Sequence, residues 1–269
     1  MKNKYKTILL QLENDRASIL LNRPAQHNAL NAELIAELHA ALDVVEAMEQ
    51  IHFVVIAGEG RSFCAGADIS WFANAVNREK AENWQEYLKL ADLLKRIYHY
   101  PKITIAAAHK NVLGGANGIL SACDFAIAEK STAFAFGEVK LGIIPATILP
   151  FVAKRLSTQN LKKLMFSGER ILASEAHIIG LVDFIANDGQ RMQVVDKLIS
   201  ELQNVSPNAL KACKQLILKV DSGEVNTESS EYTAAVLADL VESEEGQEGL
   251  RAFLDKRKPD WNALKVSEN

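Results

Sequence analysis

Three observations predict an α/β fold with a buried, mostly parallel sheet. Short β-prone runs alternate with amphipathic helical patterns over most of the chain. Two of those runs, 53–57 and 103–108, are apolar throughout, as strands covered on both faces are. The composition is ordinarily globular, with 48% hydrophobic and 24% charged residues.

The elements follow in order. Residues 7–12 and 16–21 are β-prone runs separated by the turn signal Glu13-Asn14-Asp15. Asn22-Arg23-Pro24 breaks the chain. From Asn31, apolar residues at 34, 35, 38, 41, 42, 45 and 48 keep helical spacing, with Asn28 or Asn31 available as N-cap. Gly58-Glu59-Gly60 ends the strand at 53–57. Residues 81–98 read as an amphipathic helix, with Trp84, Leu88, Ala91, Leu94, Lys95 and Tyr98 near one stripe, and Pro101 beyond it. Strand 103–108 precedes a small-residue helix at 112–123 that opens on Gly114-Gly115. Residues 124–128 and 182–186 are further strands. Ser206-Pro207 places an N-cap before proline at a first helical position. Three helices are expected from there to Phe253, with breaks near 221–223 and 242–246. The expected organisation is an α/β core over 1–205 and a helical region over 206–269, a small second domain or an assembly arm.

Charge and composition exclude several functions. The 269 residues carry 30 Lys+Arg against 34 Asp+Glu, a net charge of −4, so no basic surface calls for nucleic acid. No apolar run approaches the ~20 residues of a membrane helix. Cys64, Cys123 and Cys213 stand far apart without a CxxC pair, which argues against a disulfide framework or a zinc site. The basic start at 1–6 leads into no apolar signal core, and 265–269 carries no lipidation or retention signal, so the cytoplasm is the expected compartment. P-loop, dinucleotide, nucleophile-elbow and zincin motifs are missing. No metal and no separate cofactor is expected.

Two small-residue turns remain. Ser62-Phe63-Cys64-Ala65-Gly66-Ala67-Asp68-Ile69 follows one buried strand, and Val112-Leu113-Gly114-Gly115-Ala116-Asn117-Gly118 follows the next. On composition both can be tight connections. Alternatively, two unpaired N–H groups at adjacent strand ends can hold one carbonyl oxygen as an oxyanion hole.

The order of motifs resembles the crotonase, or enoyl-CoA hydratase/isomerase, superfamily. The resemblance rests on Leu21-Asn22-Arg23-Pro24 with Asn28-Ala29-Leu30, on residues 63–69, and on Gly114-Gly115 with Ala122-Cys123-Asp124. It continues through Phe136-Gly137-Glu138 to Pro145 and closes on Phe253 with Lys256-Arg257-Lys258-Pro259-Asp260-Trp261. It implies a crotonase-like spiral of ββα turns, a C-terminal helical trimerisation region, and a homotrimer or homohexamer. It also implies an acyl-CoA thioester substrate, coenzyme A being part of that substrate. Ala67 and Gly115 match the backbone donors of the oxyanion hole, and Glu138 matches a proton-transferring glutamate. Ala65, Asp68, Ile69, Arg23 and Lys256 are the expected substrate-binding residues. An apolar stretch, Ala133-Phe134-Ala135-Phe136, precedes Glu138 and would desolvate its carboxyl.

The main departure is at residue 118. The family usually carries a second glutamate there, one helical turn after Gly115, and this chain has glycine. A mid-helix glycine costs about 0.5–1 kcal/mol, so space is the expected reason for it. Asn117 is a candidate to orient water instead. Gly118 with the run Pro145-Ala146-Thr147-Ile148-Leu149-Pro150-Phe151-Val152 resembles bacterial methylglutaconyl-CoA-type hydratases, which would place the chain in leucine degradation. The expected function is therefore a hydratase acting on a short or branched unsaturated acyl-CoA. A 3,2-enoyl-CoA isomerase using Glu138 alone, and a non-catalytic acyl-CoA-binding protein, are the alternatives. Lys256-Arg257-Lys258 fits either a helix C-terminus or CoA phosphates. Trp71, Phe72 and Trp84 are core or acyl-pocket candidates.

Overall fold

The computed structural model describes residues 4–261, apart from 222, 224 and 225. Ser222 in the expected break, and the two chain ends, lie outside the described residues.

β1 (Ile8–Glu13) and β2 (Arg16–Leu21) pair antiparallel, Ile8 opposite Leu21. α1 (Ala32–Glu46) is capped by the Asn31 side chain, which accepts from the Leu34 N–H, and it buries one face through Leu34, Ile35, Leu38, Ala41, Leu42 and Val45. β3 (Phe53–Gly58) is buried at every position. α2 (Ile69–Asn77) and α3 (Lys80–Tyr98) connect it to β4 (Ile103–Ala108), also fully buried. β5 (Asn111–Leu113), α4 (Gly115–Ala122), β6 (Phe125–Glu129) and β7 (Ala133–Ala135) follow. A 3₁₀ turn at Glu138–Leu141 leads to α5 (Leu149–Val152), α6 (Thr158–Ser167), β8 (Arg170–Leu172), α7 (Ala173–Ile178) and β9 (Phe184–Ala186). α8 (Arg191–Leu202) comes next.

The large sheet has the order β1-β2-β3-β4-β6-β9, and every pairing beyond the first hairpin is parallel. The small sheet has the order β5-β7-β8. The chain winds between them: β4 enters the large sheet and β5 the small one, then β6 the large and β7 the small. Each turn of this spiral stacks its loop on the loop before it, which is what builds the site.

Two local expectations change. The helix expected from Val112 begins only at Gly115, because 111–113 pair with β7 as a strand. On α3 the buried residues are Leu90, Leu93, Leu94 and Ile97, whereas Trp84 is exposed. Leu94 of the expected stripe is buried, but Ala91 and Lys95 cannot compete with Leu90, Leu93 and Ile97 for the core.

The chain divides into two compact units after Asp196. The second contains α9 (Pro207–Asp221), α10 (Thr227–Glu242) and α11 (Glu244–Leu254). Asn226 and Ser243 cap the latter two through their side chains. An apolar groove of about 320 Å³ lies among these helices, lined by Leu237, Leu240, Val241, Leu250 and Trp261.

Candidate active site

Loops at the C-terminal ends of the parallel strands stack on one another, the usual ligand side of such sheets. Leu30 donates its N–H to Gly66 O at 2.7 Å and accepts from the Asp68 N–H at 2.8 Å. The Ala65 N–H donates to His27 O at 3.0 Å. The Cys64 N–H reaches Asn111 O at 3.1 Å, and the Leu113 N–H returns to Cys64 O at 3.2 Å. The Gly114 N–H then donates to Ala135 O at 2.9 Å. Four successive loops are thus laced together through their backbones. Asn28 is fully buried and ties the first to the second, donating to Glu59 O and Ser62 O at 2.9 and 2.8 Å.

The two glycine turns abut. Gly66 sits at φ 90°, where a Cβ would lie 2.8 Å from Leu113 O. Gly114 sits at φ 50°, where a Cβ would lie 3.1 Å from Glu138 Oε1. Both combine a left-handed backbone with a close approach, so only glycine fits without strain.

Ala67 and Gly115 follow these glycines directly. Because Leu30 bonds to residues 66 and 68, the Ala67 N–H points away from Leu30. Gly115 is the first residue of α4, and its N–H has no intrahelical acceptor. The bonds that fix the two turns use neither donor. Glu138 is half-buried beside them, and its Oε2 is sealed from solvent without a hydrogen-bond partner. Burial pushes its carboxyl above the ordinary carboxylate range, against a weaker pull from its own backbone N–H.

The other expected residues fall as follows. Ala65 is half-buried and Ile69 is 85% exposed. Arg23 donates to Asp68 at 2.8 Å and also to Ala29 O, so its guanidinium is engaged within the turn. Burial works against the Asp68 charge, but hydrogen bonds from Ser70 and Arg23 outweigh it and hold its carboxyl low. Asp68 also caps α2 by accepting from the Ser70 N–H at 2.9 Å. Lys256 lies exposed in the second unit, just after α11. Beside it, Arg257 pairs with Glu248 at 2.6 Å. Trp71 is buried and Trp84 is 58% exposed.

Gly118 offers no open space. A Cβ there would meet Ile148 Cγ2 at 2.5 Å and Leu94 Cδ1 at 2.8 Å. The glycine is required by packing, and Ile148 of the unusual 145–150 run is what fills the slot. Asn117 is buried, and its amide donates to Val112, Gly114 and Ala135 carbonyls at 3.3, 3.2 and 3.0 Å. Its NH₂ therefore pins the glycine turn to β7, while its Oδ1 is buried without a hydrogen-bond partner.

Burial pushes the Cys64 thiol up to about 12, so it supplies no nucleophile. Burial likewise lowers His109, which lies 3.0 Å from Gly60 O through Nε2. Among the described residues no cluster of His, Cys, Asp or Glu is placed to hold a metal. One group escapes a reading of the sequence alone. Trp71 Nε1, Asn83 Oδ1 and Glu86 Oε2, on α2 and α3, are buried without hydrogen-bond partners. The available signal was an acidic residue four positions ahead of Leu90, hence on the core-facing side of α3.

The sequence profile described as enoyl-CoA hydratase/isomerase matches residues 12–264. A Bacillus subtilis protein named a probable enoyl-CoA hydratase is 35% identical over 246 residues, 89% of this chain and 92% of its own. A trans-2-decenoyl acyl-carrier-protein isomerase of Streptococcus mutans is 26% identical over 262 residues, 96% and 98% of the two chains. The crystal structure of an enoyl-CoA hydratase from Shewanella pealeana superposes with a TM-score of 0.91 at 29% identity, covering 96% of this chain and 97% of that one. The spiral fold, the laced glycine turns and these likenesses agree: the chain belongs to the enoyl-CoA hydratase/isomerase family.

Proposed function

We propose that the chain hydrates a short or branched 2-enoyl-CoA, of the methylglutaconyl-CoA type, through an enolate held by backbone N–H groups. The observation that carries this reading is a half-buried carboxyl, Glu138, touching the glycine turn whose next N–H is unused. The thioester oxygen accepts from the Ala67 and Gly115 N–H groups. As water gives up a proton and its oxygen bonds to C3, the C2=C3 pair moves into an enolate and charge builds on the thioester oxygen. Each preorganised donor there is worth about 3–4 kcal/mol by comparison with other oxyanion holes. Glu138 delivers a proton to C2, completing the 3-hydroxyacyl-CoA, and takes it back in the reverse direction. Desolvation suits it to this, since a raised pKa keeps the proton available nearer neutral pH.

One observation favours a second reading. Ile148 closes the slot at Gly118, so α4 supplies no second carboxylate. A 3,2-enoyl-CoA isomerase needs only one base, which removes a proton at C2 and returns it at C4.

Turnover of crotonyl-CoA and of a 3-enoyl-CoA separates the readings. Glu138→Gln keeps shape and hydrogen bonding but moves no proton. kcat should fall by about 10²–10⁴, with KM little changed because the oxyanion contacts persist. A variant keeping more than about a tenth of wild-type kcat would move the chemistry away from Glu138.

A further inference from the structure

We propose that Glu86, on α3, is the second proton-transfer carboxylate of this site, standing in for the one that α4 lacks. The inference rests on the hydratase reading and supplies what that reading leaves open, a base for the attacking water.

The register of two helices carries it. Leu90 Cδ2 lies 3.7 Å from where a Cβ on Gly115 would stand, and Leu94 Cδ1 lies 2.8 Å from that of Gly118. α3 and α4 therefore run side by side in the same direction, one turn matching one turn. Glu86 is one turn before Leu90 on the same side of α3. Its counterpart position lies ahead of Gly115, before α4 has begun. That is the space into which the Gly115 N–H points and in which a bound thioester must extend.

The side chain's own state agrees. Glu86 is 16% exposed, and its Oε1 takes an ion pair from Lys89 at 2.5 Å. Its Oε2 is sealed from water and meets no donor. Burying a carboxylate oxygen without a partner is costly, so folds keep one where a ligand or a bound water completes it. Two neighbours are in the same condition. Asn83, one turn earlier on α3, has an unpartnered Oδ1, and Trp71 of α2 has an unpartnered Nε1. Trp71 packs on Tyr87 with ring centroids 6.2 Å apart, and α2 begins two residues after Ala67. Unmet polar atoms on α2 and α3 thus flank the same glycine turn. On α4, Ile148 closes residue 118 and the Asn117 NH₂ is engaged by three carbonyls, which leaves the buried Asn117 Oδ1 as an amide acceptor that can hold a water but takes up no proton.

In hydration the step balances as follows. Glu86 takes a proton from water as the water oxygen bonds to C3. The C2=C3 electrons pass into the enolate, and Glu138 gives its proton to C2. Glu86 then releases its proton to solvent and Glu138 regains one, so one water is consumed and both carboxyls are restored.

The test uses the full-length protein and two reactions, hydration of crotonyl-CoA and deuterium exchange from D₂O into C2 of butanoyl-CoA. The exchange needs only the oxyanion hole and Glu138. Glu86→Gln should lower hydration kcat by about 10²–10⁴ with KM within a few-fold, while C2 exchange continues. Glu138→Gln should lose both. Glu86→Gln with more than about a tenth of wild-type hydration, or with hydration and exchange lost in parallel, overturns the role. Wild-type protein that hydrates no enoyl-CoA but shifts the double bond of 3-hexenoyl-CoA overturns the hydratase reading instead. Glu86 is then judged on deuterium delivery at C4, whose loss with C2 exchange intact supports it and whose persistence overturns it. If Glu86→Gln does not fold, Glu86→Asp retains the charge on a shorter arm, and hydration slowed at unchanged C2 exchange is the supporting result, unchanged hydration the opposing one.

Discussion

At the scale of single residues, the proposed chemistry depends on two N–H groups and one desolvated carboxyl. Gly115 separates backbone from side chain. Proline is compatible with a first helical position and removes the N–H there while adding the same Cβ as alanine, so Gly115→Pro should cut kcat at least 10²-fold. Gly115→Ala keeps the donor, and its Cβ meets Leu30 Cδ1 at 2.9 Å, the movable end of a side chain. It should keep activity within about tenfold of wild type, because the donor that supplies the 3–4 kcal/mol is still present. Equal losses in the two variants would show that crowding, not donation, matters. Glu138 gives a pH signature as well. Its folded pKa is raised by burial, so the folded state holds the proton more tightly than the unfolded one. Stability is then greatest below the ordinary carboxylate pKa, about pH 4, and declines as pH rises from there toward the raised value. Glu138→Gln lacks this penalty. Its melting temperature relative to wild type should rise between about pH 4 and neutrality, and a pH-independent difference would contradict the desolvated carboxyl. The two glycine turns were legible as turns from their small residues, whereas Glu138 stood out only through the family resemblance. Glu86 was missed, since its place four residues before Leu90 marks the core-facing side only once Leu90 is known to be buried.

At the scale of elements, the fit between α4 and the 145–150 segment is the feature that departs from the family's usual pattern. Gly118 in mid-helix costs about 0.5–1 kcal/mol against alanine, yet a Cβ there collides with Ile148 Cγ2 at 2.5 Å. Overpacking costs typically about 1–3 kcal/mol and wins. Gly118→Ala should therefore destabilise the protein by roughly 1–2 kcal/mol despite better helix propensity. Ile148→Ala alone opens a cavity and should cost about 2–5 kcal/mol. The double variant should cost clearly less than the sum, because the new methyl occupies the space the isoleucine leaves. Additive denaturation energies would mean the two residues do not share a slot. For the same reason Gly118→Glu cannot restore a second carboxylate while Ile148 stands. The six strands of the large sheet, α1 and α9 were readable from apolar runs and from Asn31 and Ser206, whereas β7, β8 and the helices between Leu149 and Leu202 were not. β5, and the burial of Leu90, Leu93, Leu94 and Ile97, depend on partners distant in sequence, which periodicity does not contain.

At the scale of the whole molecule, the second unit leaves large apolar side chains uncovered. Phe253 and Leu254 at the end of α11 are 80% and 76% exposed, Leu237 on α10 is 64% exposed, and Ile217 on α9 is 61% exposed. α9, α10 and α11 are too few to bury both faces of each helix, and exposed apolar surface of this kind is a candidate interface. The end of α9 at Asp221 and the junction of α10 and α11 at Ser243 fall at breaks legible near 221–223 and 242–246, whereas which apolar residues stay uncovered is a property of three-dimensional packing. We expect residues 206–261 to mediate a homotrimer or a dimer of trimers, as the family resemblance implies. Light scattering at micromolar concentration should give a mass three or six times that of one chain, and a monomer would contradict the assignment. Phe253 and Leu254 decide where the contact lies. Burying each is worth about 1.5–3 kcal/mol, so Phe253→Asp with Leu254→Asp removes roughly 3–6 kcal/mol per interface. That corresponds to about 10²–10⁴ in association constant, enough to release monomers at concentrations where the wild type remains assembled. Far-ultraviolet dichroism should be unchanged, since both side chains already face solvent within one chain. Retained assembly in that variant would place the interface on another face of the helices, with Leu237 and Ile217 the next side chains to replace.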